Sequence, residues 1–287
     1  MTTPKRAALP GVELPDTESE CVELEYEDRG TGEPVVLIHA GLCARWFAPL
    51  TDQPTLSERY RLIRYHRAGY AGSTARRPSA DLSGEAGHCL RLLDHLDVDR
   101  AHVVGHSSGA AIALQLALDA PDRVRSLALL EAALQQAPSG PEWSRTVFVP
   151  AMERYRAGDR AGAVDTFLRG VCGPGYRRVL ERAVPGAFDE AVRDAGTFFG
   201  HELSIVRQWT FGAREAGRLT RPVLAVMGEL SEQLSPIWGE RHKLLLSWIP
   251  HAEPFVLPGA THLLHAQNPR GTAEALAAFF TRSTDER

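Results

Sequence analysis

Cysteine is scarce in this chain: 287 residues hold four, Cys21, Cys43, Cys89 and Cys172, and no two stand at Cys-x-x-Cys spacing. The scatter disfavours a zinc site and suggests free thiols in a reducing compartment, although the even number leaves disulfides open. Long apolar runs are missing too. No segment approaches the roughly 18 uninterrupted apolar residues of a membrane helix, and the basic stretch Met1–Gly11 is not followed by an apolar run long enough for a signal peptide. The expectation is a soluble cytoplasmic protein. Charge of one sign is lacking as well: 32 Lys+Arg oppose 36 Asp+Glu, a net charge of −4. That balance gives no electrostatic reason to expect nucleic acid or an anionic membrane as partner, so small neutral substrates fit better. No internal repeat or low-complexity tract is present, and oligomeric state, a homodimer included, is left open.

What is present is 44% hydrophobic residues, ample for a buried core in one large domain or two smaller ones. Apolar or alternating runs at 21–26, 34–38, 61–65, 101–104, 126–130, 222–227 and 253–257 read as strands, with a turn over 27–33. Helical patterns at 84–96, 110–118, 238–248 and 272–280 lie between or after them. Such alternation predicts an α/β fold: a mainly parallel sheet covered by helices on both faces. It breaks between about Gln135 and Gly217, where the pattern is helical and punctuated by Gly and Pro. Strands resume at Pro222, which favours a helical lid inserted into the sheet domain over a separate helical domain. The expected division is therefore 1–134 and 218–287 as core and 135–217 as cap. The cap's many aromatics, Trp143, Phe148, Phe167 and Phe198 among them, read as core rather than as substrate contacts.

The most informative segment is Gly105-His106-Ser107-Ser108-Gly109. Ala101–Val104 before it reads as a short buried strand, and Ala110–Leu118 after it as a helix, so Ser107 falls on the turn between them. Such a turn leaves no room for side chains on both flanks, and glycine two positions either side of the serine relieves the crowding. This is the sequence form of a nucleophile elbow. A serine hydroxyl is a weak nucleophile until a base takes its proton, so a histidine near the same sheet edge is needed. His262, in Pro258-Gly259-Ala260-Thr261-His262, follows the last strand directly and is the expected base. His265 is a decoy three residues on. His106 neighbours Ser107 on so sharp a turn that their side chains diverge, and it is expected to pack.

In order, Leu37-Ile38-His39-Ala40-Gly41, Arg67-Ala68-Gly69-Tyr70-Ala71-Gly72-Ser73, the elbow and Gly259-Ala260-Thr261-His262 resemble the segments of the α/β-hydrolase superfamily, over most of the sheet domain. The first segment departs in carrying Ala40 where glycine is usual, with Gly41 one place later. In the second, Tyr65 or His66 stands where an aspartate is commoner. The resemblance implies an oxyanion hole made by the backbone N–H groups of Ser108 and of Gly41 or Leu42. Cys43 close by reads as pocket lining or filler and not as a nucleophile.

The acid departs from the family's common pattern. Most relatives carry an aspartate after the seventh strand, three residues beyond a glycine, and that place here holds Ser231 in Gly228-Glu229-Leu230-Ser231-Glu232. A serine cannot stabilise an imidazolium by charge, so Glu229 or Glu232 is recruited locally or the acid comes from another strand. Glu131, ending the apolar run Leu127–Leu130, is the favoured candidate and Glu232 the alternative. An ionisable group that ends a buried run requires a partner. Zearalenone lactonases and some haloalkane dehalogenases carry their glutamate at the end of this same strand, which is a match of motif and not of substrate.

Together these residues predict acyl transfer to water: attack by Ser107, proton transfer through His262, and support of the imidazolium by Glu131. No metal or organic cofactor is implied. The expected substrate is a small hydrophobic ester or lactone. Carbon–carbon bond hydrolysis and cofactor-free perhydrolysis, which use the same Ser-His pair, and a non-catalytic ligand-binding protein remain as alternatives.

Overall fold

Four runs, Glu33–Ile38, Ala101–His106, Val124–Leu130 and Val223–Gly228, are apolar almost without a break, the pattern of strands covered on both faces. In the computed structural model, which describes residues 4–9, 22–75 and 78–285, they form the centre of one nine-stranded sheet. In chain order the strands are β1 (Lys5–Leu9), β2 (Val22–Arg29), β3 (Glu33–Ile38), β4 (Tyr60–Tyr65), β5 (Thr74–Ala75), β6 (Ala101–His106), β7 (Val124–Leu130), β8 (Val223–Gly228) and β9 (Glu253–Leu257). The spatial order is β1-β2-β4-β3-β6-β7-β8-β9, with β5 also paired to β2. From β4 to β9 every pairing is parallel, whereas β1, β2 and β5 pair antiparallel at one edge.

Alternate residues of each central strand feed opposite cores. Val36, Ile38, Val103, Leu127 and Leu129 pack beneath helices α1 (Leu82–His95) and α2 (Ser108–Asp119). Val35, Leu37, Val104, Ala128 and Leu130 face Phe279 and Phe280 on the C-terminal helix. A parallel sheet with helices on both faces places the C-terminal ends of β3, β6, β7 and β8 along one rim, where crossovers leave the sheet and ligands bind in this architecture.

Between β7 and β8 the described residues contain helices and no strand. The principal ones are α3 (Val149–Arg156), α4 (Arg160–Cys172), α5 (Tyr176–Ala183), α6 (Ala187–Arg193) and α7 (Leu203–Gln208). Two π-helical turns, Ser144–Phe148 and Phe198–Glu202, interrupt the pattern. A third apolar cluster joins this segment to the rim through Trp46, Tyr70, Leu168, Phe198, Ile237 and Leu263.

Two features differ from the sequence reading. The leader contributes β1, whose residues Ala7 and Leu9 are buried against β2. The turn expected over 27–33 shrinks to Gly30-Thr31-Gly32, because Glu27, Asp28 and Arg29 continue β2 opposite β4. The charges of Glu27 and Asp28 are met by ion pairs to Arg64 and Arg61 across the strands, and Arg29 pairs with Asp52. Cys21 lies outside the described residues; Cys43, Cys89 and Cys172 are buried free thiols. No helix among the described residues is long and apolar enough to cross a membrane.

Candidate active site

Ser107 sits between β6 and α2 with φ 55° and ψ −117°, a strained conformation for a residue with a side chain. The flanking glycines make the turn sterically feasible. A Cβ on Gly105 would lie 2.4 Å from the Gly109 carbonyl oxygen, and one on Gly109 would lie 2.1 Å from the Ile38 carbonyl oxygen. The turn is tied to the neighbouring strand end: Ser107 N–H donates to the Leu130 carbonyl at 2.9 Å, and Ala133 N–H donates to the Ser107 carbonyl at 3.1 Å.

Glu131 follows β7 directly, with φ 44°, and its N–H donates to the Val226 carbonyl at 2.9 Å. One carboxylate oxygen accepts from Gly228 N–H at 2.8 Å; the other accepts from His262 Nδ1–H at 2.6 Å. With Nδ1 committed to Glu131, the other ring nitrogen of His262, Nε2, is left free of that bond. The ring is stacked on Trp238, centroids 4.2 Å apart and planes 23° apart. The loop carrying it is braced from the helical segment, since the Thr261 hydroxyl donates to the Cys172 carbonyl at 3.1 Å.

The other candidates lie elsewhere. Glu232 is half exposed and pairs with Lys243 at 3.3 Å. Glu229 accepts the Gly259 N–H at 2.8 Å. Ser231 is fully buried, with its hydroxyl packed beside Gly228 and lacking a partner. His106 and His265 are fully buried, centroids 4.9 Å apart, and His265 stacks on Phe47 at 4.6 Å. Burial drives both imidazoles down, His106 well below the usual range and His265 to about 3, so both are neutral packing groups near pH 7.

Of the expected oxyanion donors, Gly41 lines the cavity above Ser107 and Leu42 does not. The Gly41 carbonyl accepts from Trp46 Nε1–H at 3.1 Å, and the Leu42 backbone bonds the Tyr70 hydroxyl. Gly41 N–H donates to Ser108 Oγ at 3.0 Å, so the Ser108 side chain stands where a second donor's acceptor would sit. The Ser108 backbone opens α2, whose N-terminal dipole favours negative charge there.

Gly41, Trp46 and Ser108 border a cavity of about 340 Å³ that is also lined by Ser107 and His262. Trp143, Phe148, Phe167 and Phe198, read from sequence as core, form its apolar wall, and the two π-turns supply Phe148 and Phe198. Sequence reasoning missed Trp46, Trp238, Glu202 and Arg241 altogether. Trp238 and Arg241, one helical turn apart on α8 (Pro236–Trp248), form a same-face pair that periodicity could have flagged. Glu202 is anchored by Arg67 at 2.9 Å and by the Tyr70 hydroxyl. Cys43 and Cys172 have thiols pushed well above their usual range by burial.

The carboxylate that Tyr65 and His66 lack is supplied from β2. Glu25 contacts His66 Nδ1 at 2.7 Å and accepts Gly72 N–H at 3.1 Å, closing the Arg67–Ser73 loop.

A glycine-flanked serine on the turn between a parallel strand and a helix lines the same cavity as a histidine held on a carboxylate, at the rim of an α/β sheet. The model of the alpha/beta hydrolase fold matches residues 33–269, and the chain belongs to that family. In sequence it is similar to the dihydrolipoyllysine-residue acetyltransferase component of the acetoin cleaving system of Pseudomonas putida. The two are 27% identical over 260 residues, 88% of this chain and 64% of the relative. It is also 37% identical over 116 residues to 2-hydroxy-6-oxo-2,4-heptadienoate hydrolase of Pseudomonas putida, covering 39% of this chain and 41% of that one. The chain thus spans less than two thirds of the length of these curated relatives. Among solved structures, an esterase from Thermogutta terrifontis matches with TM-score 0.76 and 21% identity over 97% of this chain and 99% of the other. The enol-lactonase of Burkholderia xenovorans LB400 matches with TM-score 0.75 and 22% identity over 91% and 97%. These structural likenesses speak to the fold.

Proposed function

We propose that the protein is a serine hydrolase that cleaves a carboxylic ester or lactone through an acyl-enzyme on Ser107. The observation that carries this reading is the His262–Glu131 hydrogen bond beside Ser107 in a common cavity. Glu131 fixes the tautomer and steadies the imidazolium, leaving His262 Nε2 to take the Ser107 proton. The serine oxygen adds to the carbonyl carbon, the oxyanion is held by the N–H groups of Ser108 and Gly41, and His262 protonates the leaving alcohol. Water then adds to the acyl-enzyme by the same path and releases the acid. For Gly41 N–H to reach the oxyanion, the Ser108 hydroxyl must swing away from it.

The helical segment 135–217 acts as the lid, since its residues supply most of the apolar wall that excludes water from the reacting carbonyl. The names of an esterase and an enol-lactonase among the structural neighbours agree with this substrate class. Carbon–carbon bond hydrolysis by the same Ser-His pair is the second reading, favoured by the relative named 2-hydroxy-6-oxo-2,4-heptadienoate hydrolase.

A fluorophosphonate should label Ser107, and p-nitrophenyl esters should be turned over, with both lost in Ser107→Ala. Absence of labelling and of turnover in the native protein overturns the hydrolase reading.

A further inference from the structure

Arg241 is a charged residue with only 9% of its surface exposed, on the wall of the cavity that holds Ser107. Its guanidinium carbon lies 5.6 Å from the centre of the Trp143 ring and 5.4 Å from that of Trp238. Its Nε has no hydrogen-bond partner, and among the described residues no carboxylate pairs with it. The two acidic groups that influence it are both engaged. Glu131 binds His262 and Gly228, and Glu240 accepts from the Ser139 N–H at 2.7 Å and from its hydroxyl at 2.5 Å.

The charges lining the cavity do not cancel. Among the described residues its one carboxylate is Glu202, already paired with Arg67. Arg207, exposed and lying 4.7 Å over the Phe148 ring, adds a second cation. The chain's small net charge had pointed to neutral substrates, but the local balance at this wall is positive.

A buried guanidinium is costly unless its donors are met, and two indole faces attract the charge without accepting its N–H groups. Burial brings its ionisation down to about 10, which leaves it cationic near neutral pH. The group whose shape meets a planar fork of donors is a carboxylate, held by two parallel hydrogen bonds.

We propose that Arg241 is the anchor of an anion subsite, so that the cavity takes an ester or lactone bearing a free carboxylate. The inference rests on the serine hydrolase reading for the reacting bond, and on Arg241 alone for the anion. Hydrolysis of such a substrate adds water across the acyl–oxygen bond and releases a new carboxylate, which joins the first on one product when the anion belongs to the acyl part or to a lactone.

Glutarate is the probe. Titrated into the native protein and followed by tryptophan fluorescence, it should bind saturably, whereas uncharged dimethyl glutarate should bind at least about tenfold more weakly. Arg241→Met should weaken glutarate by at least about tenfold, with Arg241→Gln used in its place should circular dichroism show that the Met variant does not fold. Glutarate should also inhibit p-nitrophenyl acetate hydrolysis competitively, with a constant matching its dissociation constant. No binding, binding unchanged by the Arg241 variants, or non-competitive inhibition overturns the subsite. Should Ser107 resist fluorophosphonate and no ester be turned over, the hydrolase reading fails by itself, and the glutarate titration still decides for or against Arg241.

Discussion

His262 donates from Nδ1 to Glu131 Oε2 at 2.6 Å, joining the ends of two strands whose loops lie 131 residues apart in the chain. The second Glu131 oxygen is held by Gly228 N–H, so the carboxylate cannot rotate without losing a buried hydrogen bond. If Glu131 is the triad acid, Glu131→Gln should lower kcat on the order of 10⁴-fold, because an amide can stabilise the wrong tautomer and carries no charge for the imidazolium. Glu232→Gln breaks only an exposed pair with Lys243 and should alter kcat less than about threefold. Steady-state kinetics on one p-nitrophenyl ester compares the two. A large loss in the Glu232 variant with a small one at Glu131 would reverse the assignment.

The parts of this site legible in the sequence are those fixed by backbone geometry. Gly105 and Gly109 mark a turn that tolerates no Cβ, and the uninterrupted apolar runs of β3, β6, β7 and β8 mark strands covered on both faces. Glu131 stood out because a carboxylate at the end of such a run needs a partner. The rest depends on contacts between residues distant in sequence. Glu25 reaches the His66 loop from another strand, and Arg241 reaches Trp143 across the boundary between core and helical segment. The aromatics Phe148 and Phe198 look like ordinary core because a dry pocket and a core use the same side chains; only the π-turns that carry them set them apart. β1 escaped notice because five residues forming the edge strand of the sheet carry too short a pattern to stand out from a polar leader.

Gly109→Ala tests the packing of the elbow. Its new methyl would fall 2.1 Å from the Ile38 carbonyl oxygen, which belongs to β3 and cannot move without disturbing the central sheet. The expected cost is about 3 kcal/mol, read as a lower urea midpoint at unchanged slope. A variant as stable as the native protein would show that β3 and α2 separate more easily than the close approach implies.

The pair between Glu202 and Arg67 ties the helical segment to the loop after β4, with both side chains almost wholly buried. Removing Glu202 leaves Arg67 only the longer 4.0 Å pair with Glu85 and takes the acceptor from the Tyr70 hydroxyl, so Glu202→Leu should cost about 3 kcal/mol. Replacing both, as Glu202→Leu with Arg67→Met, should recover much of that loss, since two apolar groups need no partner. Urea unfolding of the two single variants and the double variant measures the coupling. Additive losses, with no recovery in the double variant, would count against the pair as a latch between segment and core.

His265 gives the acid stability of the fold a specific cause. Its imidazole stacks on Phe47 and is held down to about 3 by burial, while His106 and His39 are also depressed by burial. Above pH 6.5 these groups are neutral in the folded and unfolded chain alike and contribute no pH dependence. Below it the unfolded chain takes up protons that the folded chain refuses, so stability falls with pH, by about 1.4 kcal/mol per unit for each such group. His265→Phe keeps an aromatic ring against Phe47 and removes one proton site. Its stability should therefore fall less steeply than that of the native protein between pH 6 and 5, where most exposed carboxylates stay ionised. Urea midpoints at four pH values across 5–7.5 give the two slopes, and equal slopes would mean that His265 is protonated within the fold over this range.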